Sequence, residues 1–328
     1  VLTAHKTYEL LTQTEVPVIL GPVLSQNAAV TAAMLVERDP VMLSPTATED
    51  GVAELGSNIF QMNVTTGVLG RTIAEYAMTN LNINEFALLT PLSDYGRVLS
   101  ESFKAEVQRR GGTIVVEEFF DEGANDLRPQ FTTMRYELLL RRKAKDSLRV
   151  VAGETLAPRT AKDDSLLLSD SALSVGGLFI PAEAEDVVMI APQVHFYKIR
   201  TQMLGATGWH SPKTILDGKR YVENAIIVTS AETAREDTLW QAFRTRFQTR
   251  FGAEPDRVAA LGYDAAKLVC SVLEKLGRSA SPDRLMQGLR DVQGYRGVSG
   301  QISFDPERGV NREAVIMKIS NRRFIRVR

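Results

Sequence analysis

Cysteine is almost absent from this chain of 328 residues: Cys270 stands alone, so no internal disulfide can form. Its place in the apolar stripe of a predicted helix indicates a small core residue. No apolar run approaches the roughly 20 residues that a membrane-spanning helix needs. Lys and Arg number 39 against 40 Asp and Glu, so the near-neutral balance excludes an electrostatic case for nucleic acid. The basic run 141–143 is short and typical of a solvated surface.

Common catalytic and cofactor motifs are missing as well. The chain contains no GxSxG, GxxxxGK[ST], GxGxxG or HExxH sequence. Its histidines, His5, His195 and His210, are far apart in sequence, which disfavours a metal site. We therefore expect a protein that is not an enzyme and that uses no metal or cofactor.

Short apolar segments alternate with amphipathic helical patterns along most of the chain, as in parallel βαβ units. The length allows two domains of roughly 150 residues each. The strands are predicted at 16–20, 41–43, 59–62, 86–90, 113–119, 177–181, 201–204 and 225–228. Residues 137–175 break the alternation and are interpreted as an inserted helix extension with a surface loop.

Small hydroxyl residues follow two of these strands. Ser25 follows strand 16–20, and Thr46 and Thr48 follow strand 41–43. Ligands of open α/β sheets bind beyond the carboxyl ends of the strands, so these residues predict a hydroxyl shelf for a carboxylate or another small polar group. The alternative, that each hydroxyl caps a helix or stabilises a turn, stays open at this point.

A third loop, 94–96, joins a strand to a helix and carries Tyr95. An aromatic side chain there could close over a ligand from the opposite side to the hydroxyl shelf. The helix N-terminus would add roughly 0.3–1 kcal/mol of stabilisation for an anionic group.

Several stretches occur in the order found in a known family. They are GPVLSQNAAV, VMLSPTATED, IFQMNVTTGVLGRTIAEYA, FALLTPLSDYGRVLSESFKAEVQRRGGTIV, GVSGQISFDPERG and AVIMKISNRRFIRV. Together they resemble the type I periplasmic binding proteins of the leucine/isoleucine/valine-binding class. The resemblance implies an α/β fold of two Rossmann-like lobes with parallel sheets, joined by a three-strand hinge that closes on a ligand.

The resemblance also implies the domain boundaries. Lobe one would comprise 1–83 and 229–292, and lobe two 84–228 and 293–328, with 137–175 inserted. The first β-α-β of lobe one in this family has no counterpart in the chain. We expect either that it lies upstream of Val1 or that the lobe-one sheet is completed in another way. The tail from residue 297 onward would form the family's closing hairpin.

Matched motif by motif, the resemblance assigns ligand contacts to both lobes. The assigned residues are Ser25, Gln26, Thr46, Ala47 and Thr48 in lobe one, and Tyr95, Ala182, Glu183, Thr207 and Trp209 in lobe two. Thr207 stands where amino-acid-binding members commonly carry an acidic residue. Because a buried ammonium without a carboxylate costs several kcal/mol, this departure argues against an ordinary α-amino acid unless Glu183 takes over the role.

The function implied is that of a periplasmic receptor that traps a small polar or amino-acid-like ligand between its lobes for a membrane transporter permease or a sensor. A lipid anchor on an upstream segment would hold it at the membrane. The stretches LFIPAEAED and IAPQ also resemble penicillin-binding-protein activators, which are envelope lipoproteins that use the fold for protein contact. That role is the alternative, and nucleic acid is not an expected partner.

Overall fold

The computed structural model describes most of the chain. The described residues are 2–12, 16–36, 38, 40–151, 172–230, 237–277 and 281–327, with the backbone alone at 148–151. They form two units: unit 1 comprises Val1–Val68 and Ser230–Ala314, and unit 2 comprises Leu69–Thr229 and Val315–Arg328. The chain thus passes between the units three times. Their action as a hinge stays a prediction.

Helices and strands alternate as the sequence predicts. The helices are α1 (Leu2–Thr12), α2 (Ser25–Met34), α3 (Thr66–Thr79), α4 (Asp94–Arg109), α5 (Arg128–Val151), α6 (Ala184–Phe196), α7 (Pro212–Gly218), α8 (Thr238–Phe251), α9 (Arg257–Leu276) and α10 (Pro282–Arg290). The strands are β1 (Val18–Leu20), β2 (Val41–Ser44), β3 (Ile59–Val64), β4 (Glu85–Pro91), β5 (Thr113–Phe120), β6 (Leu173–Phe179), β7 (Ile199–Gly205), β8 (Ile226–Ser230), β9 (Tyr295–Arg296), β10 (Gln301–Ile302), β11 (Val310–Asn311), β12 (Ala314–Ser320) and β13 (Arg323–Arg326). Among the described helices, none combines the length and apolarity needed to cross a bilayer.

Unit 1 contains a parallel sheet in the order β1-β2-β3-β11. Every residue of β2 is buried, as expected for a parallel strand covered on both faces. Helix α9 contributes Leu261, Ala265 and Leu268, spaced i, i+4 and i+7, to the same core. Cys270 lies on the other side of α9 and is exposed, so the prediction that it is a core residue is wrong.

The segment 293–314 belongs to unit 1, whereas the sequence placed it in lobe two. Strand β11 pairs in parallel with β3, and Phe304 packs edge-on against Phe60 with ring centroids 5.3 Å apart. At the other boundary, unit 2 begins at Leu69 rather than at residue 84. Helix α3 packs closely on α4 there: a Cβ added at Gly70 would lie 2.7 Å from the Leu99 carbonyl oxygen.

Unit 2 contains a sheet in the order β13-β12-β8-β7-β6-β4-β5. Each neighbouring pair is parallel along the part of the sheet that runs β8-β7-β6-β4-β5. The strands β12 and β13 form an antiparallel hairpin. Asn321 and Arg322 of the hairpin turn have φ of 51° and 59°, as a type I′ turn requires. The predicted closing hairpin is therefore confined to the last strands, because the stretch before it joins unit 1.

The predicted insertion at 137–175 is shorter than expected within the described residues. Helix α5 runs to Val151, and β6 already begins at Leu173. Leu173 and Val175 are buried and alternate with the exposed Ser174, a two-residue period that the sequence analysis missed. Residues 152–171 of the predicted loop lie outside the described residues.

Candidate functional site

In unit 1 the structure brings the hydroxyl shelf together beyond the carboxyl ends of β1 and β2. The Thr46 hydroxyl donates a hydrogen bond to the Val23 carbonyl, and the Thr48 N–H donates to Ser25 Oγ at 3.1 Å. The Thr48 side chain is exposed. The hydroxyls therefore join the two loops to each other, and the Thr48 N–H is already bonded within the protein.

Ser25 does not cap α2, so the helix-capping alternative is excluded for this residue. Leu24 occupies the N-cap position and makes no side-chain capping bond. The N–H groups of the first helical turn, at Ser25, Gln26 and Asn27, therefore have no acceptor inside the helix. Such a terminus favours an anionic group, and Gln26 beside it is exposed.

Ala47 is the predicted contact of unit 1 that the structure places in the core. It is fully buried, its N–H donates to Ser44 Oγ at 3.3 Å, and its carbonyl accepts from Gln61 Nε2 at 3.3 Å. Its apolar side chain packs with the cluster around α2. Ala47 therefore shapes the loop, and its contact with a ligand stays a prediction.

Asn63 and Arg257 lie beside the shelf and escaped the sequence analysis. Asn63 Nδ2 donates to the Thr46 carbonyl at 3.4 Å, and Arg257 Nη2 donates to Asn63 Oδ1 at 3.3 Å. Arg257 Nη2 also donates to Ser230 Oγ at 2.6 Å. Asn63 near the carboxyl end of β3 was a readable signal, but Arg257 lies far along the chain. Its guanidinium brings positive charge to this edge of unit 1.

In unit 2 the loop after β7 meets the first turn of α4. The Gly208 N–H donates to the Tyr95 hydroxyl oxygen at 3.3 Å, and the Thr207 side chain also hydrogen-bonds to it. Burial, with a contribution from the charge on Glu183, raises the pKa of Tyr95 to about 12. Tyr95 therefore stays protonated at neutral pH and keeps its own O–H as a donor.

Trp209 lies in the core of unit 2 rather than at its surface. It is fully buried, and its indole N–H donates to the Ile180 carbonyl at 2.8 Å. The ring packs so closely on Gly205 that a Cβ there would lie 2.6 Å from it. Trp209 therefore holds the 207–209 turn in place, and its direct contact with a ligand stays a prediction.

Ala182 and Glu183 complete the unit 2 loops in different ways. Ala182 is buried. Its carbonyl oxygen is so close to Gly208 that a Cβ added to Gly208 would lie 2.6 Å from that oxygen. Ala182 therefore packs against the 207–209 turn, and its contact with a ligand stays a prediction. Glu183 is exposed, and the same added Cβ would lie 2.9 Å from Glu183 Oε2. A carboxylate therefore lies beside the Tyr95–Gly208 contact.

Glu183 belongs to a cluster of negative charge. Although the residue is exposed, partial desolvation of its carboxylate raises its pKa, and the neighbouring charges of Glu185, Glu122 and Asp186 raise it further. Among the described residues, no group of three His, Cys, Asp or Glu side chains is arranged to hold a metal ion. The cluster provides negative potential beside the Tyr95–Gly208 contact.

The chain matches a family model described as periplasmic binding protein over residues 2–137 and 148–322. It belongs to the periplasmic binding protein family. Membership implies an extracytoplasmic location, and it confirms the resemblance on which the fold was predicted. The relatives found are solute-binding proteins and transporter components.

Individual relatives agree with this assignment. The Leu/Ile/Val-binding protein BraC3 of Rhizobium johnstonii is 27% identical over 120 residues, which is 36% of this chain and 33% of BraC3. A putative branched-chain amino acid ABC transporter from Rhodospirillum rubrum has a similar fold, with a TM-score of 0.74, 20% identity and coverage of 99% of this chain and 84% of that one. LivJ of Streptococcus pneumoniae in complex with isoleucine has a TM-score of 0.57 at 21% identity, covering 99% and 83%. The chain thus matches about a third of the length of the curated relative.

Proposed function

We propose that this periplasmic binding protein binds a zwitterionic, amino-acid-like solute for an ABC-type transporter, with a membrane permease as its partner. The observation that carries the proposal is the carboxylate of Glu183 beside the Tyr95–Gly208 contact. It supplies the negative charge that the family's acidic position would provide and that Thr207 lacks. The departure at Thr207 therefore does not argue against an amino-acid ligand.

Unit 1 would bind the ligand's carboxylate. The uncapped first turn of α2 offers N–H groups, the Thr48 side chain is exposed, and Arg257 adds positive charge through Asn63. Charge-assisted hydrogen bonds of this kind are about twice as strong as neutral ones.

Unit 2 would bind the ligand's ammonium. Glu183 provides the counter-charge, and the Tyr95 hydroxyl, fixed by Gly208 and Thr207, keeps a donor for a second polar group of the ligand. We do not propose the alternative role in cell-wall regulation, because the relatives found are Leu/Ile/Val-binding and branched-chain amino acid transporter proteins.

Isothermal titration with leucine should give a saturable signal, whereas 3-methylbutylamine and 4-methylpentanoate, which each lack one charged group, should bind more weakly. Glu183→Gln should weaken leucine binding by about tenfold or more, because a hydrogen bond to a charged group contributes about 1.5–3 kcal/mol. Glu185→Gln is the matched control, since it removes a neighbouring charge from the same helix turn. Equal losses in both variants, or equal binding of leucine and 4-methylpentanoate, would refute the assigned role of Glu183.

Leucine affinity should also depend on pH through the same residue. The pKa of Glu183 is raised by partial desolvation and by its acidic neighbours, so its charge is lost at a higher pH than that of an ordinary glutamate. Since the ammonium needs the ionised carboxylate, affinity should decline as the pH falls from neutral to mildly acidic. Dissociation constants measured across this range should flatten in Glu183→Gln; an unchanged slope in that variant would contradict the prediction.

A further inference from the structure

A cavity lies in unit 2 at the amino-terminal edge of its sheet. It measures about 390 Å³ and is lined by the starts of β4 and β6 and by one face of α5. Its charged lining residues are Glu85, Asp146, Arg141, Arg142 and Lys145. The volume lies within the range of small-molecule sites, about 300–1,000 Å³.

This cavity is separate from the candidate solute site. Glu85 is the first residue of β4, whereas Tyr95 lies in the helix that follows the last residue of β4, at the opposite edge of the same sheet. A strand of seven residues spans about 23 Å at about 3.3 Å per residue. The two sites therefore share no residue.

The cations occupy a helix face that normally carries apolar side chains. Arg141, Arg142 and Lys145 follow the buried Leu138 at i+3, i+4 and i+7, the spacing of a core-facing stripe. The sequence analysis interpreted the run 141–143 as solvated surface. The Arg141 side chain is indeed 43% exposed, and Arg141 and Arg142 also line the cavity.

Donors greatly outnumber acceptors around the cavity. Arginine has five N–H donors and the lysine ammonium three, and neither side chain can accept a hydrogen bond. Two of these cations already bind one carboxylate: Glu85 accepts from Arg141 Nη2 at 2.9 Å and from Lys145 Nζ at 2.5 Å. Asp146 is the other acid of the lining. Three cations against two carboxylates leave a net positive charge and unused donors, the chemistry of a site for an acceptor-rich anion.

Glu85 holds the cations in position. Burial acts to raise the pKa of Glu85, but hydrogen bonds from Lys145 and Arg141 outweigh it, and the net effect is a lowered pKa. Its carboxylate is therefore ionised at neutral pH and competes with any anion for the same donors. The side chains of Leu138, Leu173 and Val175 add apolar surface to the lining.

We propose that this cavity is a second binding site, for a small organic anion with a phosphate or carboxylate head and a short apolar body. Arg141, Arg142 and Lys145 bind the head, and the apolar lining contacts the body. Glu85 orders the donors and lowers affinity by competing for them.

Phenyl phosphate and inorganic phosphate, titrated calorimetrically at low ionic strength into the whole chain, test the site. Phenyl phosphate should bind more tightly because it also covers apolar lining. Glu85→Gln should strengthen phenyl phosphate binding by about tenfold, since a competing charged acceptor is removed, and Arg142→Gln should weaken it by about tenfold.

Arg128→Gln is the matched control, since Arg128 lies in the first turn of α5, away from the cavity, and pairs with Asp126. It should leave phenyl phosphate binding unchanged, as should Glu183→Gln in the solute site. Circular dichroism is needed to check that each variant is folded at the titration temperature, and Arg141→Gln offers a second test if Arg142→Gln is not folded. The proposal is overturned if Glu85→Gln binds no phenyl phosphate, or if Arg142→Gln and Arg128→Gln weaken it equally.

Discussion

Trp209→Ala should lower the free energy of unfolding by about 3–5 kcal/mol, the range for removing a large buried aromatic side chain. The ring is fully buried in unit 2, so its loss leaves a cavity. Its N–H also satisfies the Ile180 carbonyl, which would lose its partner. Denaturant unfolding followed by circular dichroism measures the change.

Ligand binding should weaken in the same variant, because Trp209 anchors the turn that carries Gly208 to the Tyr95 hydroxyl. Trp209→Phe keeps most of the ring volume and should recover part of the stability. Phe196→Ala is the control, since that aromatic side chain in the same unit is 76% exposed and should cost little. Similar losses in Trp209→Ala and Phe196→Ala would show that burial of Trp209 does not stabilise the protein.

The sequence predicted the elements of the fold because their signals are local. Strands such as β2 are short buried apolar runs, and helices such as α9 carry a stripe with a helical period. The end of the chain was harder to predict. The segment 293–314 has the alternation of a hairpin, but its pairing with β3 joins residues some 250 positions apart, and no local pattern encodes that choice.

The candidate site was predicted only in part, for a similar reason. Position along a strand located Ser25, Thr48 and Tyr95, because the carboxyl ends of parallel strands meet at one edge of each sheet. The position of a residue along the chain did not indicate whether its side chain is buried. Trp209 is a large aromatic residue in a glycine-containing loop and resembled a ligand contact, but the missing side chain at Gly205 makes room for its ring inside unit 2.

Asp264 shows how one polar residue holds the segment 293–314 in unit 1. It lies on the buried face of α9 and is 1% exposed. Its carboxylate accepts from the N–H groups of Val298 and Ser299 at 2.9 and 2.6 Å and from Ser299 Oγ at 2.5 Å. The loop passes so close that a Cβ on Gly297 would lie 2.3 Å from the carboxylate. An acid inside an apolar stripe was the readable signal.

Asp264→Ala should therefore cost about 3 kcal/mol or more, because each buried donor left without an acceptor costs about 1–3 kcal/mol. Amide hydrogen exchange at Val298 and Ser299 should accelerate, since both N–H groups lose their acceptor. Asp256→Ala is the matched control: it removes the N-cap of the same helix, whose carboxylate accepts from the Ala259 N–H at 2.7 Å, and should cost about 1 kcal/mol. If the two variants lose equal stability and exchange at Val298 stays slow, the loop is held to unit 1 by its apolar contacts, and the Asp264 carboxylate is not its anchor.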